Sequence, residues 1–82
     1  MVRVFFEGAF EKTLSKIRDG TFKIRVKKQI EKIVINPEIG KPMRYDHKGT
    51  RELYVEPYRL SYSWIPETQA IVFLDLYHKD EQ

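Results

Sequence analysis

The sequence lacks cysteine altogether, which excludes a disulfide framework and any thiolate metal site. Two histidines are too few to close a zinc site on their own. No apolar stretch approaches the roughly 20 residues that a membrane helix needs. The opening run Met1-Val2-Arg3-Val4-Phe5-Phe6 is too short for a signal peptide and lacks the small-residue cleavage site of one. A soluble, cytoplasmic protein with no membrane association is expected. Internal repeats, low-complexity tracts and linkers are absent, as are a phosphate-binding glycine loop and a nucleophile triad, so a small-molecule enzyme is disfavoured. Charge of either sign is in small excess: 15 Lys and Arg against 12 Asp and Glu give a formal +3. That balance is compatible with a polyanionic partner without requiring one.

What is present fits a single domain over residues 1–82. A domain of this size buries only about 60% of the surface its unfolded chain exposes. It has one core, and a ligand is expected on a face or in a shallow groove. Residues Val2 to Phe6 are β-branched and aromatic and read as a strand. Phe10, Leu14 and Ile17 then recur at helical spacing, until Asp19-Gly20 ends the helix. Thr21 is the expected N-cap of a second helix, with Phe22, Val26, Ile30, Ile33 and Val34 on one stripe. Asn36-Pro37 stops it, because a residue before proline avoids the α region.

Met43 to Asp46 reads as a short strand after a loop from Pro37 to Pro42. Thr50 to Glu56 alternates, with Leu53 and Val55 on one side and Glu52, Tyr54 and Glu56 on the other. Tyr58 to Trp64 sets Leu60, Tyr62 and Trp64 against Arg59, Ser61 and Ser63. After a turn at Pro66-Glu67-Thr68, Ala70 to Tyr77 is almost continuously apolar, as a central strand should be. The class is α+β: a small, mostly antiparallel sheet with an N-terminal two-helix hairpin on one face, in the order β-α-α-β-β-β-β. The other face carries Glu52, Tyr54, Arg59, Ser61 and Ser63 and is open.

The segments Gly40-Lys41-Pro42-Met43, Gly49, Leu53-Tyr54-Val55 and Tyr58-Arg59-Leu60-Ser61-Tyr62, with the ending Tyr77-His78-Lys79-Asp80, resemble the signature of the RelE/ParE toxin superfamily. The resemblance spans the whole chain, including the element order and the Asn36-Pro37 helix stop. It implies the toxin of a type II toxin–antitoxin pair. RelE-like members cut mRNA in the ribosomal A site, whereas ParE-like members act on DNA gyrase. Both are held inactive by a cognate antitoxin. The expected partners are thus a RelB-like antitoxin, the ribosome and mRNA, with no small-molecule cofactor. Antitoxin binding also predicts an exposed apolar patch.

RNA cleavage of this kind needs a base for the 2′-hydroxyl proton, a cation on the scissile phosphate and an acid for the leaving 5′-oxygen. No metal is required. Arg59 matches the family's Tyr-Arg-Leu arginine, and a guanidinium offers paired donors shaped for phosphate. Lys79 stands where the family carries a basic residue after the last strand. His78 resembles the acid–base histidine near the end of YoeB-like members. Glu52 and His78 are alternative bases. Strand alternation sends His78 and Lys79 to opposite faces unless the strand ends or bulges there. Tyr54, Arg51, Lys48 and Arg44 are the candidate RNA contacts, Tyr54 by stacking on a base. The basic second helix, with Lys23, Arg25, Lys27, Lys28 and Lys32, reads either as a solvated face or as an rRNA contact.

The chain departs from the nuclease pattern in two places. Glu52 and Tyr54 occupy strand positions where RelE-like nucleases place lysines or arginines. The terminal tyrosine of many relatives is also missing, with Tyr77 either a substitute or a core residue. These departures keep open a ParE-like inhibitor of a protein target, or an inactive relative that only binds antitoxin.

Overall fold

The computed structural model describes residues 1–43 and 49–81. The elements are β1 (Arg3–Phe6), α1 (Gly8–Lys16), α2 (Gly20–Ile35), β2 (Lys41–Pro42), β3 (Thr50–Val55), β4 (Tyr58–Ile65) and β5 (Ala70–His78), followed by a 3₁₀ turn over Lys79–Glu81. The strands form one sheet in the order β1-β5-β4-β3-β2. β1 runs parallel to β5, and the other pairings are antiparallel. The α+β class and element order are as expected. The short strand differs: it forms at Lys41–Pro42, ahead of the expected Met43–Asp46, and Arg44, Tyr45 and Asp46 lie outside the described residues. No helix among the described residues is long and apolar enough to cross a membrane.

The second helix is capped two residues earlier than the sequence suggests. Asp19, not Thr21, is its N-cap, and the Asp19 carboxylate accepts the Thr21 N–H at 2.9 Å and the Phe22 N–H at 3.2 Å. Aspartate outcompetes threonine here because its charge also meets the positive end of the helix dipole. Replacing it, Asp19→Ala, is expected to destabilise the protein by about 1 kcal/mol. A urea melt that did not move would show that the cap is redundant.

The helices cover one sheet face. Phe10 of α1 packs on Phe73 of β5 with ring centroids 5.7 Å apart, and Phe6 stacks on the same ring at 5.1 Å. Phe22 of α2 meets Tyr58 of β4 at 5.1 Å. Val26, Ile33, Val55, Leu60, Tyr62, Ile71 and Leu76 complete the core. Each such side chain contributes about 1.5–3 kcal/mol on full burial, so this one layer carries the fold.

One irregularity governs what the other face displays. Along β4 and β5, Tyr62 pairs with Phe73 but Ser61 pairs with Asp75, so Leu74 is an extra residue and the register shifts. With Ile71 and Phe73 in the core, strict alternation would send Asp75 and Tyr77 inward and His78 outward. The bulge inverts that phase. Leu76 turns into the core, and Tyr77 turns to the open face opposite Arg59.

Candidate functional site

The open face is built from β3, β4 and the end of β5. Two cross-strand rows define it: Tyr54–Arg59–Tyr77 and Glu52–Ser61–Asp75. The Arg59 guanidinium carbon lies 4.9 Å from the centre of the Tyr54 ring, a cation–π contact. Among the described residues Arg59 makes no ion pair, so its planar fork is free to meet an anion. Its neighbour Tyr77 donates its phenolic O–H to Glu52 Oε2 at 2.9 Å. That bond reaches over Ser61, which is the buried polar side chain of this face at 6% exposure. Tyr77 therefore lies on the open face and not in the core.

The bond between Tyr77 and Glu52 links a phenol of the Arg59 row to a carboxylate of the next row. Diagonal neighbours on one face of a sheet lie about 7–8 Å apart, within reach of long side chains. Lys41 is the residue that the sequence reading missed. It pairs with Glu52 across the β2–β3 ladder, so a second cation borders the carboxylate from the sheet edge. Only the register could have revealed it, since β2 is two residues long.

Several sequence candidates are placed elsewhere. His78 pairs with Tyr58, and the two rings meet edge to face at 5.4 Å. Tyr58 in turn packs on Phe22, so His78 stands on the helix side, away from Arg59. Its Nδ1 accepts the Asp80 backbone N–H at 3.2 Å. Lys79 is exposed beyond the strand end, its Nζ 3.7 Å from Glu56 and its backbone N–H bonded to Pro57 O. Arg51 pairs with core-facing Tyr62 and not with the open row, and it braces the loop. Its Nη1 donates to Glu38 O at 3.0 Å and Gly40 O at 2.8 Å. Arg44 and Lys48 lie outside the described residues. No cluster of His, Asp or Glu able to hold a metal occurs among the described residues.

The brace extends into the core. Tyr62 Oη accepts the Gly40 N–H at 2.9 Å and donates to Pro37 O at 2.7 Å. Burial pushes the Tyr62 phenol above its ordinary pKa, while the Gly40 hydrogen bond and the nearby Arg51 charge act in the opposite direction. Arg51 and Tyr62 thus fix the segment that leads from α2 to the sheet edge beside Glu52.

Outside the polar rows, the exposed large apolar side chains include three consecutive residues of edge strand β1: Val4, Phe5 and Phe6. Their side chains alternate between the two sheet faces, with Phe6 on the side of Phe10 and Phe73.

Comparison with solved structures gives the same fold. The toxin–antitoxin complex RelBE of Escherichia coli contains a chain that superposes with a TM-score of 0.81 at 18% identity, over 95% of this chain and 96% of that one. The RelBE2 complex of Mycobacterium tuberculosis gives 0.78 at 25% identity, over 95% and 98%. A YoeB/ParE toxin from Agrobacterium tumefaciens gives 0.83 at 12% identity, over 94% and 98%. No curated protein matches the chain by sequence. The model of the ParE toxin of the type II toxin–antitoxin system parDE matches residues 4–82, and with that match across nearly the whole fold the chain belongs to this toxin family.

Proposed function

We propose that this toxin inhibits translation by ribosome-dependent cleavage of mRNA in the A site, and that a RelB-like antitoxin holds it inactive. The observation that carries the reading is Arg59: a guanidinium on the open sheet face, stacked on Tyr54 and without an ionic partner among the described residues. In the reaction the 2′-oxygen of the RNA attacks the adjacent phosphorus and the bond to the 5′-oxygen breaks. Arg59 holds the phosphate oxygens as their charge grows. Glu52 takes the 2′-hydroxyl proton. Tyr77, bonded to Glu52 and facing Arg59, is the hydroxyl best placed to protonate the leaving oxygen. His78 and Lys79 remain alternatives for proton transfer and phosphate binding only if the chain end turns toward the open face. Exposed Val4, Phe5 and Phe6 supply apolar surface for the antitoxin, whose relatives are seen in complex with similar toxins.

The test is primer extension on mRNA paused on purified ribosomes, with and without the purified protein. Discrete A-site cuts are expected. Their absence at every pH tried would sink the reading. It would favour the second one, a non-nuclease toxin acting on a protein target such as DNA gyrase, for which Glu52 and Tyr54 in place of strand cations already speak.

A further inference from the structure

The basic face of α2 divides into two flanks, and only one of them meets the sheet. Arg25, Lys28 and Lys32 line a groove of about 200 Å³ together with Gln29, Tyr54 and Val55. At 100° per residue these three cations fall within about 60° of one another, and the single acid of the helix, Glu31, borders the stripe three residues after Lys28 but does not line the groove. Gln29 Nε2 donates to Tyr54 O at 3.0 Å and ties α2 to β3 beside the groove. Tyr54 is 46% exposed and is shared: the residue lines this groove, and its ring is the platform under Arg59. The Arg59 site and the α2 cations therefore meet at one residue of β3, Tyr54.

We infer that this groove is a track for a single RNA strand, which passes from Arg59 over Tyr54 and along Arg25, Lys28 and Lys32. The cations recur about once per helical turn, near 5.4 Å along the axis, which suits successive phosphates of one strand better than an isolated anion. An exposed ring between two sets of cations is the arrangement that sequence-tolerant single-strand binding uses: charge for the backbone and a π-face for a base. Charge complementarity selects the occupant, since the stripe carries three cations and no carboxylate. The inference rests on the reading of the open face as an RNA site, but it concerns binding and not cleavage.

The test is fluorescence anisotropy of the full chain with a labelled single-stranded RNA oligonucleotide over a series of salt concentrations. Wild type is compared with a track variant, Arg25→Gln with Lys28→Gln and Lys32→Gln. A control of equal charge carries Lys12→Gln, Lys23→Gln and Lys27→Gln. Three lost phosphate contacts should flatten the slope of log affinity against log salt by about 2 in the track variant, while the control keeps the wild-type slope. Tyr54→Leu should weaken binding by roughly five- to a hundredfold with the slope unchanged. Equal losses in track and control variants would overturn the inference, because binding would then follow net charge alone. So would displacement of the RNA by poly-glutamate with the same dependence on Tyr54, which would assign the groove to an acidic polypeptide. Circular dichroism of each variant separates lost contacts from lost fold. A protein that binds through the track and yet leaves ribosome-bound mRNA intact would keep this inference and reject the cleavage reading.

Discussion

Arg59→Ala is expected to lower A-site cleavage of mRNA by on the order of a hundred- to a thousandfold, the usual cost of removing one preorganised donor from a developing negative charge. The fold should survive, since the side chain lies on the open face against Tyr54 and contributes nothing to the helix-covered core. Arg59→Lys separates charge from geometry. It retains the cation but loses the planar fork and most of the stacking on the Tyr54 ring, so its activity should fall between those of wild type and alanine. Single-turnover rates on saturating ribosome complexes read the chemical step directly. An alanine variant as fast as wild type would remove Arg59 from the reaction, and a lysine variant as slow as alanine would show that the fork, not the charge, matters.

Gly40→Ala should be the most damaging small change in the loop. A methyl group there would sit 2.6 Å from Tyr62 Oη and 2.7 Å from its ring, well inside van der Waals contact. The phenol must then move, and the Gly40 N–H and Pro37 carbonyl lose their shared partner. Buried polar groups left unmet cost about 1–3 kcal/mol each, so a loss of roughly 2–4 kcal/mol is expected in urea unfolding. Tyr62→Phe keeps the ring and removes only the hydroxyl, for about 1–3 kcal/mol.

The same residue sets an alkaline limit. The Tyr62 pKa is raised above the ordinary value of 10.0 by burial, so the native state holds this proton more tightly than the unfolded chain does. Its contribution is complete below the unfolded pKa and is lost as pH rises through the folded one. Stability measured as pH rises above the ordinary tyrosine pKa of about 10 should fall in wild type and fall less steeply in Tyr62→Phe. Parallel curves would show that other groups cause the alkaline loss.

Much of this molecule is written in local sequence. The spacing of Phe22, Val26 and Ile33 makes a helix with one buried stripe, and Asn36-Pro37 ends it whatever lies nearby. Alternation in Thr50–Val55 and Tyr58–Trp64 assigns Leu53, Val55, Leu60 and Tyr62 to the core and leaves Glu52, Tyr54 and Arg59 outside, because a strand has period two and one face must be dry. The class, the order of elements and the position of Arg59 follow from these patterns.

Three things were decided only when the chain closed on itself. The run from Ala70 to Tyr77 is apolar enough to hide its own phase, and the extra residue at Leu74 exchanged the faces of Tyr77 and His78. A bulge depends on how two strands fit, and neither strand encodes it alone. Arg51 looks like a free cation in sequence, yet the loop carbonyls of Glu38 and Gly40 come to it from more than ten residues away and take hydrogen bonds from its Nη1. Lys41 and Tyr54 gain their neighbours in the same way, from the β2–β3 register and from α2 laid along the sheet edge. Local sequence set which side chains are outward and charged. Strand register and helix placement, which sum weak contacts between distant segments, set which of them share a site.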